Sequence, residues 1–215
     1  MANSKYEYVK KFEADDRLPP SNWIVVRIDG CHFHSFIWRE NTQFYQRRAS
    51  KLLSLCVSYF TSMYVMKWKE FFSYKELKGP PYFDGRVVCY PRAKMIRDYL
   101  AWRQVDCHIN NQYNTCFWML VKSGKTQKEA QEYLKGTQAK DKNELLFQQF
   151  NINYDKLPQM FRKGSCIYRE KVEEIVKEDG NANGVTRTRN KVVLGHMDII
   201  GPNFWIQHPY ILQED

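Results

Sequence analysis

Trp23-Ile24-Val25-Val26-Arg27-Ile28-Asp29-Gly30 is the stretch on which the fold turns. Five of its first six residues are apolar, and most of these are β-branched, the pattern of a strand buried on both faces. Gly30 breaks the run directly after a carboxylate. An unpaired carboxylate is costly inside a core, so Asp29 is expected at the rim of the sheet. Two readings of it stand. Asp29 and the Gly30 carbonyl could offer hard oxygen ligands to a divalent cation, or Asp-Gly could simply turn the chain after a strand.

Working outward, Cys31-His32-Phe33-His34-Ser35-Phe36 sets imidazoles and rings beside the bend. Loop N–H groups at a strand end can cradle phosphate oxygens. Two ordinary loop histidines are the plainer reading, and no spacing of His and Cys completes a zinc site. Further on, apolar residues recur at helical spacing from Ala49 to Tyr64, which predicts a long helix over 42–72. Arg47, Arg48 and Lys51 gather at its start, where cations oppose the helix dipole. That cost is understandable if the cluster meets phosphate; the alternative is a solvated basic face.

The chain of 215 residues suits one substantial domain. Its 33 Lys+Arg against 24 Asp+Glu give a net charge of +9, which favours a polyanionic partner. Six cysteines without metal or disulfide spacing read as reduced thiols of an intracellular protein. No secretory apolar segment or membrane-spanning run is evident, so no membrane partner is expected.

In chain order, Ser4–Asp16 reads as a short amphipathic helix and Asp84–Tyr90 as a strand. Two helices follow, over 93–103 and 106–123. The second opens with Cys107-His108-Ile109-Asn110-Asn111-Gln112, dense in amides that favour helices poorly. These groups could read nucleotide edges or form a buried polar network. Thr126 and Glu129 are spaced as a capping box, and another helix covers 138–150. Strands at 164–169 and 185–189 flank the loop Gly180–Gly184, and Phe204–Pro209 is expected to pack back on the body.

Several motifs together resemble the eukaryotic, plant-like tRNA-histidine guanylyltransferase family. They are Arg27-Ile28-Asp29-Gly30 with Phe33-His34-Ser35-Phe36, Arg48-Ala49-Ser50-Lys51, Asp84-Gly85-Arg86-Val87, Cys107-His108-Ile109-Asn110-Asn111, Lys142-Asn143-Glu144 and Phe150-Asn151-Ile152-Asn153-Tyr154. The resemblance implies an α/β (α+β) fold with a polymerase palm-like antiparallel sheet, helices on one face, and a C-terminal hairpin. On this reading 1–135 form the palm-like core and 136–215 a helical and hairpin extension. It implies Mg²⁺-dependent addition of GMP to the 5′ end of tRNA-His with GTP and ATP as nucleotide substrates, a homo-oligomer (a tetramer in the family), and a nuclear location. By resemblance, Asp29 matches a catalytic metal carboxylate and Gly30 the metal-binding carbonyl. Asp29, Gly30, Cys31, His32, Phe33 and His34 match the GTP-binding loop, with Arg48 and Lys51 near the triphosphate. Arg47, His108, Asn111, Lys142 and Asn153 match positions of tRNA or nucleotide handling.

The chain also departs from the family. There, a helix and a hairpin bearing Ser-Asp-Glu, whose Asp is the second metal carboxylate, follow the Phe-His motif. Here Phe36 runs through 37–43 directly into Phe44-Tyr45-Gln46-Arg47-Arg48, and no Ser-Asp-Glu occurs. Asp84 and Asp106 belong to other motifs and are not expected to substitute. The alternatives are an active transferase, a catalytically impaired short isoform that binds only tRNA or full-length partners, and a generic basic nucleic-acid-binding domain. Without the hairpin, the central strand is expected to lack a neighbour on at least one edge, leaving the chain marginally stable.

Overall fold

The computed structural model describes residues 15–29, 34–38, 43–177 and 185–212. The helix expected over Ser4–Asp16, the Gly180–Gly184 loop and the residues Gly30, Cys31, His32 and Phe33 lie wholly or largely outside these. By its contacts the chain divides into Met1–Ile96 and Arg97–Asp215. The division at 135 that the resemblance implies falls inside the second unit.

In the first unit, β1 (Trp23–Asp29) is the middle strand of a three-stranded antiparallel sheet between β2 (His34–Trp38) and β3 (Asp84–Tyr90). The expectation of an unpaired edge is therefore corrected. Ile24 to Ile28 pair with Trp38 to His34, and all of β1 pairs with β3, from Trp23 opposite Tyr90 to Asp29 opposite Asp84. The short 34–38 stretch takes the neighbouring place, so both ladders of the apolar strand are made.

Alternation sends Ile24, Val26 and Ile28 to one face, where they pack on Leu52, Leu53, Cys56, Val57 and Phe60 of α1 (Ala49–Phe71). Gly85 on β3 lets the helix come close: a Cβ there would stand 2.6 Å from Val57 and 2.7 Å from Leu53. The chain enters α1 through a one-turn 3-10 segment, Phe44–Arg47, not through a helix from 42. Tyr45, Gln46 and Arg47 all have positive φ (49°, 55° and 55°), a conformation costing roughly 1–2 kcal/mol per residue. The Arg47 guanidinium holds this turn by donating to the carbonyls of Pro19 and Asn22 at 2.6 and 2.8 Å. Asp16 then caps α1, accepting from the Ser50 N–H at 2.7 Å and from the Ser50 hydroxyl.

The two helices expected over 93–123 are one, α2 (Ala93–Lys122). No Gly or Pro interrupts it, and the Arg103–Asp106 ion pair at 2.8 Å spans the expected break one turn apart. In the second unit α2 packs against α3 (Gln127–Leu134) and α4 (Ala139–Phe150) around Cys116, Leu120, Ala130, Leu134 and Leu146. Gly124 and Gly136, both at positive φ, turn the chain between these helices. After α5 (Gln159–Lys163), β4 (Cys166–Lys177) and β5 (Val185–Gly195) form a two-stranded antiparallel hairpin longer than the sequence indicates. The tail packs back as expected: Phe204 and Trp205 of α6 (Pro202–Gln207) are buried with Ile199, beside Tyr168.

Candidate functional site

The rim of the three-stranded sheet is built by two short charged alternations. Arg27 and Asp29 leave β1 on the face opposite α1, and register sets Arg86 opposite Arg27 and Asp84 opposite Asp29. Like charges directly across a ladder repel. The sheet resolves this along each strand: the Arg27 guanidinium donates to the Asp29 carboxylate, and Arg86 lies 3.4 Å from Asp84. The Arg27–Asp29 pair is mostly buried, whereas Arg86 and Asp84 are exposed. Sequence reasoning assigned Arg27, Asp84 and Arg86 no part in the site. Their signal was available, a charge alternating at i and i+2 in both Arg-Ile-Asp and Asp-Gly-Arg.

Asp29 thus sits at the rim, as expected. The backbone of His34 opens β2 opposite Ile28. At the start of α1, Arg48 is the half-buried N-cap residue and Lys51 is exposed one turn on. The hydrogen bonds from Ser50 hold the Asp16 carboxyl below its usual range, with the nearby Arg48 charge adding to them. The helix start therefore carries a carboxylate among its cations. Arg47 is buried and committed to Pro19 and Asn22, so the phosphate contact expected of it is replaced by an internal one.

In the second unit the expected polar residues have mixed fates. Lys142 is buried, and its ammonium donates to the Thr137 and Gln138 carbonyls at 2.8 and 3.3 Å, closing the α3–α4 turn instead of reaching outward. Asn111 donates to the Cys107 sulfur at 3.4 Å. His108 packs edge-on against Tyr154, ring centroids 5.5 Å apart, and its carbonyl accepts from the Tyr154 hydroxyl at 3.4 Å. Burial pushes that phenol up to about 12, so it stays a donor. Asn153 is exposed; it accepts from the Asp155 N–H at 3.1 Å and lines an open cleft of about 460 Å³ with Phe147 and Lys156. Of the amide-rich stretch, Gln112 is fully inside, donating to the Ala139 carbonyl and Asn143 at 3.0 and 2.7 Å. The buried-network reading holds for it.

Five cysteines in the described residues are unpaired thiols. Burial raises each of them, Cys116 to about 11, which keeps them protonated and unreactive.

The donor set at the rim decides what metal it suits. Among the described residues no three His, Cys, Asp or Glu side chains come together. A rim whose two facing carboxylates, Asp29 and Asp84, are each paired with an arginine of their own strand fits a single Mg²⁺ that keeps waters and takes further oxygens from a triphosphate. It does not fit two cations held by protein ligands alone.

Comparison with known proteins follows this geometry. A family model described as tRNAHis guanylyltransferase matches residues 6–38 and 34–91, and one described as Thg1 C terminal domain matches 94–201. A probable tRNA(His) guanylyltransferase of Dictyostelium discoideum is 44% identical over 99% of both chains. The chain belongs to the tRNA(His) guanylyltransferase family.

An Arabidopsis thaliana relative, tRNA(His) guanylyltransferase 2, is 46% identical over 96% of this chain. The chain spans about half the length of the two Arabidopsis relatives, 47% and 46%. A crystal structure of the Saccharomyces cerevisiae family member superposes with a TM-score of 0.68 at 38% identity, covering 75% of this chain and 91% of that one. A bacterial Thg1-like protein in complex with ATP has a TM-score of 0.67 at 19% identity, covering 98% and 100%, and speaks to the fold alone. The fold is the palm-like α/β arrangement of these enzymes. The second Arabidopsis relative aligns over 259 positions with the 215 residues here, and the two matches to the family model meet at 34–38. That junction is where the sequence departs from the family pattern.

Proposed function

We propose that the chain is a nucleotidyltransferase that adds GMP to the 5′ end of tRNA-His, using GTP and ATP. The observation that supports this reading is the placement of Asp29. A chain of this family keeps the carboxylate at the rim of the central palm strand, fixed there by Arg27. Asp29, with the Gly30 carbonyl, would hold one Mg²⁺, which supplies charge neutralisation to a bound triphosphate. Lys51, beside the half-buried Arg48, would meet the phosphates from the start of α1. Residues 30–34 would carry the nucleotide. His108, Asn111 and Asn153 are the remaining candidates for nucleotide or tRNA handling, in the second unit. Assembly into a homo-oligomer and a nuclear location belong to the same reading.

The direct test incubates the purified chain with 5′-monophosphorylated tRNA-His, ATP, Mg²⁺ and GTP labelled at the α-phosphate. Label at the 5′ end of the tRNA is expected. Salt-sensitive binding of tRNA with no label transferred would overturn the assignment of activity and leave a tRNA-binding relative.

A further inference from the structure

The connection from α1 to β3 holds its aromatic rings outward. Phe71, Tyr74 and Tyr82 are 71%, 80% and 92% exposed. The connection is held at both ends nonetheless. The Trp68 indole N–H donates to the Lys75 carbonyl at 2.8 Å, and the Lys75 N–H donates to Phe72 at 3.0 Å. At the far end Phe83 is anchored edge-on against Phe60 and Tyr64, at 5.0 and 5.4 Å between centroids. A fixed loop with solvent-facing rings is pre-organised, so a partner that stacks on it loses little chain entropy.

The charge beside the rings narrows the partner. Lys67 and Lys69 are neutralised by Glu70 and Glu76 at 2.6 and 3.7 Å. Lys75 and Lys78 have no carboxylate partner among the described residues, and the Lys75 ammonium lies 5.6 Å from the Tyr74 ring centroid. Protein interfaces favour tyrosine but deplete lysine. Exposed rings on either side of two lysines without carboxylate partners suit a chain with flat bases and a phosphate backbone. Position agrees with this. Tyr82 lies two residues before Asp84, the register partner of Asp29, so the loop ends at the same rim of the sheet.

We propose that this loop is a stacking platform for unpaired RNA nucleotides that continue past the reacting 5′ end. Tyr74 and Tyr82 take bases, and Lys75 and Lys78 take phosphates. The inference rests on the proposed function in one respect, that the RNA end lies at Asp29.

Two 5′-phosphorylated RNA hairpins with the same stem provide the test, one blunt and one carrying a short single-stranded 3′ extension. Fluorescence anisotropy at fixed salt measures their affinities. Wild type is expected to bind the extended hairpin about tenfold more tightly, the scale of one or two stacked bases. Tyr74→Ala with Tyr82→Ala removes that preference and Tyr→Phe at both positions retains it. Lys75→Glu with Lys78→Glu weakens the extended hairpin more than the blunt one and flattens the salt dependence of its binding. A double alanine variant that keeps the preference overturns the inference. So does a variant whose only change is loss of self-association, which would mark a protein interface. A wild type that labels tRNA yet shows no preference defeats the platform and leaves the proposed function standing; a wild type that binds neither hairpin and labels no tRNA defeats both.

Discussion

At the palm rim, Arg27, Asp29, Asp84 and Arg86 are set out on the sheet face that α1 leaves, each charge balanced by a neighbour on its own strand. In the second unit three of the described polar residues are drawn inside. Gln104 donates to the Met197 carbonyl at 2.9 Å and accepts from the Ile199 N–H at 2.9 Å, Gln112 bonds Ala139 and Asn143, and Lys142 closes a turn. A carboxylate kept at a rim retains oxygens that a cation can use. A buried amide with its bonds made is a cross-link, and its polarity says nothing of ligands. The difference lies in satisfaction, not in residue type.

The largest effect that sharpens this contrast belongs to Asp29. Asp29→Asn keeps the shape of the rim and removes the negative charge that Arg27 orients. Transfer of labelled GMP is expected to fall about 100-fold or more, the scale seen when one preorganised electrostatic group is lost. Urea unfolding should change far less. Equal transfer by the variant and the parent would show that Asp29 is a turn residue and that the rim has no chemical role.

Next in size is Gly85→Val. The added side chain must enter space held by Val57 and Leu53, only 2.6 and 2.7 Å from a Cβ. Overpacking of this kind costs about 1–3 kcal/mol, and it should appear as a lower urea midpoint. Because β3 carries Asp84 and Arg86, the same variant should also weaken transfer. Unchanged stability would mean that α1 does not seat closely on the sheet.

How far the sequence reveals these features differs between the regions. The apolar run of β1, the Asp84–Tyr90 strand, the capping box at Thr126 and the packing of the tail follow from local patterns and are present. The pairing of His34–Trp38 with β1 was not legible, because a five-residue stretch after a bend carries no mark of which strand it joins. Nor was the fate of Arg47. Its burial depends on two carbonyls more than twenty residues away in the chain. Lys142 likewise reads as an exposed helical cation until the α3–α4 turn brings its acceptors beneath it. Asp29 could be located because a carboxylate ending a buried strand has few places to go.

The buried cross-links of the second unit invite the converse test. Gln112→Leu preserves approximate volume but leaves the Ala139 carbonyl and the Asn143 side chain without their amide partner. A loss of about 1–3 kcal/mol is expected from the unsatisfied groups, read as a lower midpoint for the helices of this unit. Nucleotide affinity measured with GTP should stay as in the parent. Reduced GTP affinity at unchanged stability would move Gln112 from cross-link to ligand contact and erase the contrast between the two regions.

The smallest effect concerns the start of α3, where stability is local and exposed. Thr126 accepts from the Glu129 N–H at 3.2 Å, and Glu129 accepts from the Thr126 N–H at 2.8 Å and hydroxyl at 2.7 Å. Thr126→Ala is expected to cost about 1 kcal/mol, in the usual range for an N-cap. The Thr126 backbone N–H, followed by its hydroxyl, holds the Glu129 carboxyl below its usual 4.5. A depressed carboxylate stabilises the fold above its unfolded value and loses that contribution as pH falls through the folded one. Protection of the α3 amides, taken relative to intrinsic exchange at each pH, should therefore fall on acidification below about 4.5. In Glu129→Gln this step should vanish, since no proton is taken up, while Thr126→Ala should keep part of it through the backbone donor. A Glu129→Gln variant with the parent's acid response would place the titration elsewhere in the unit, for instance at Asp198, whose carboxyl the Lys163 ammonium holds low.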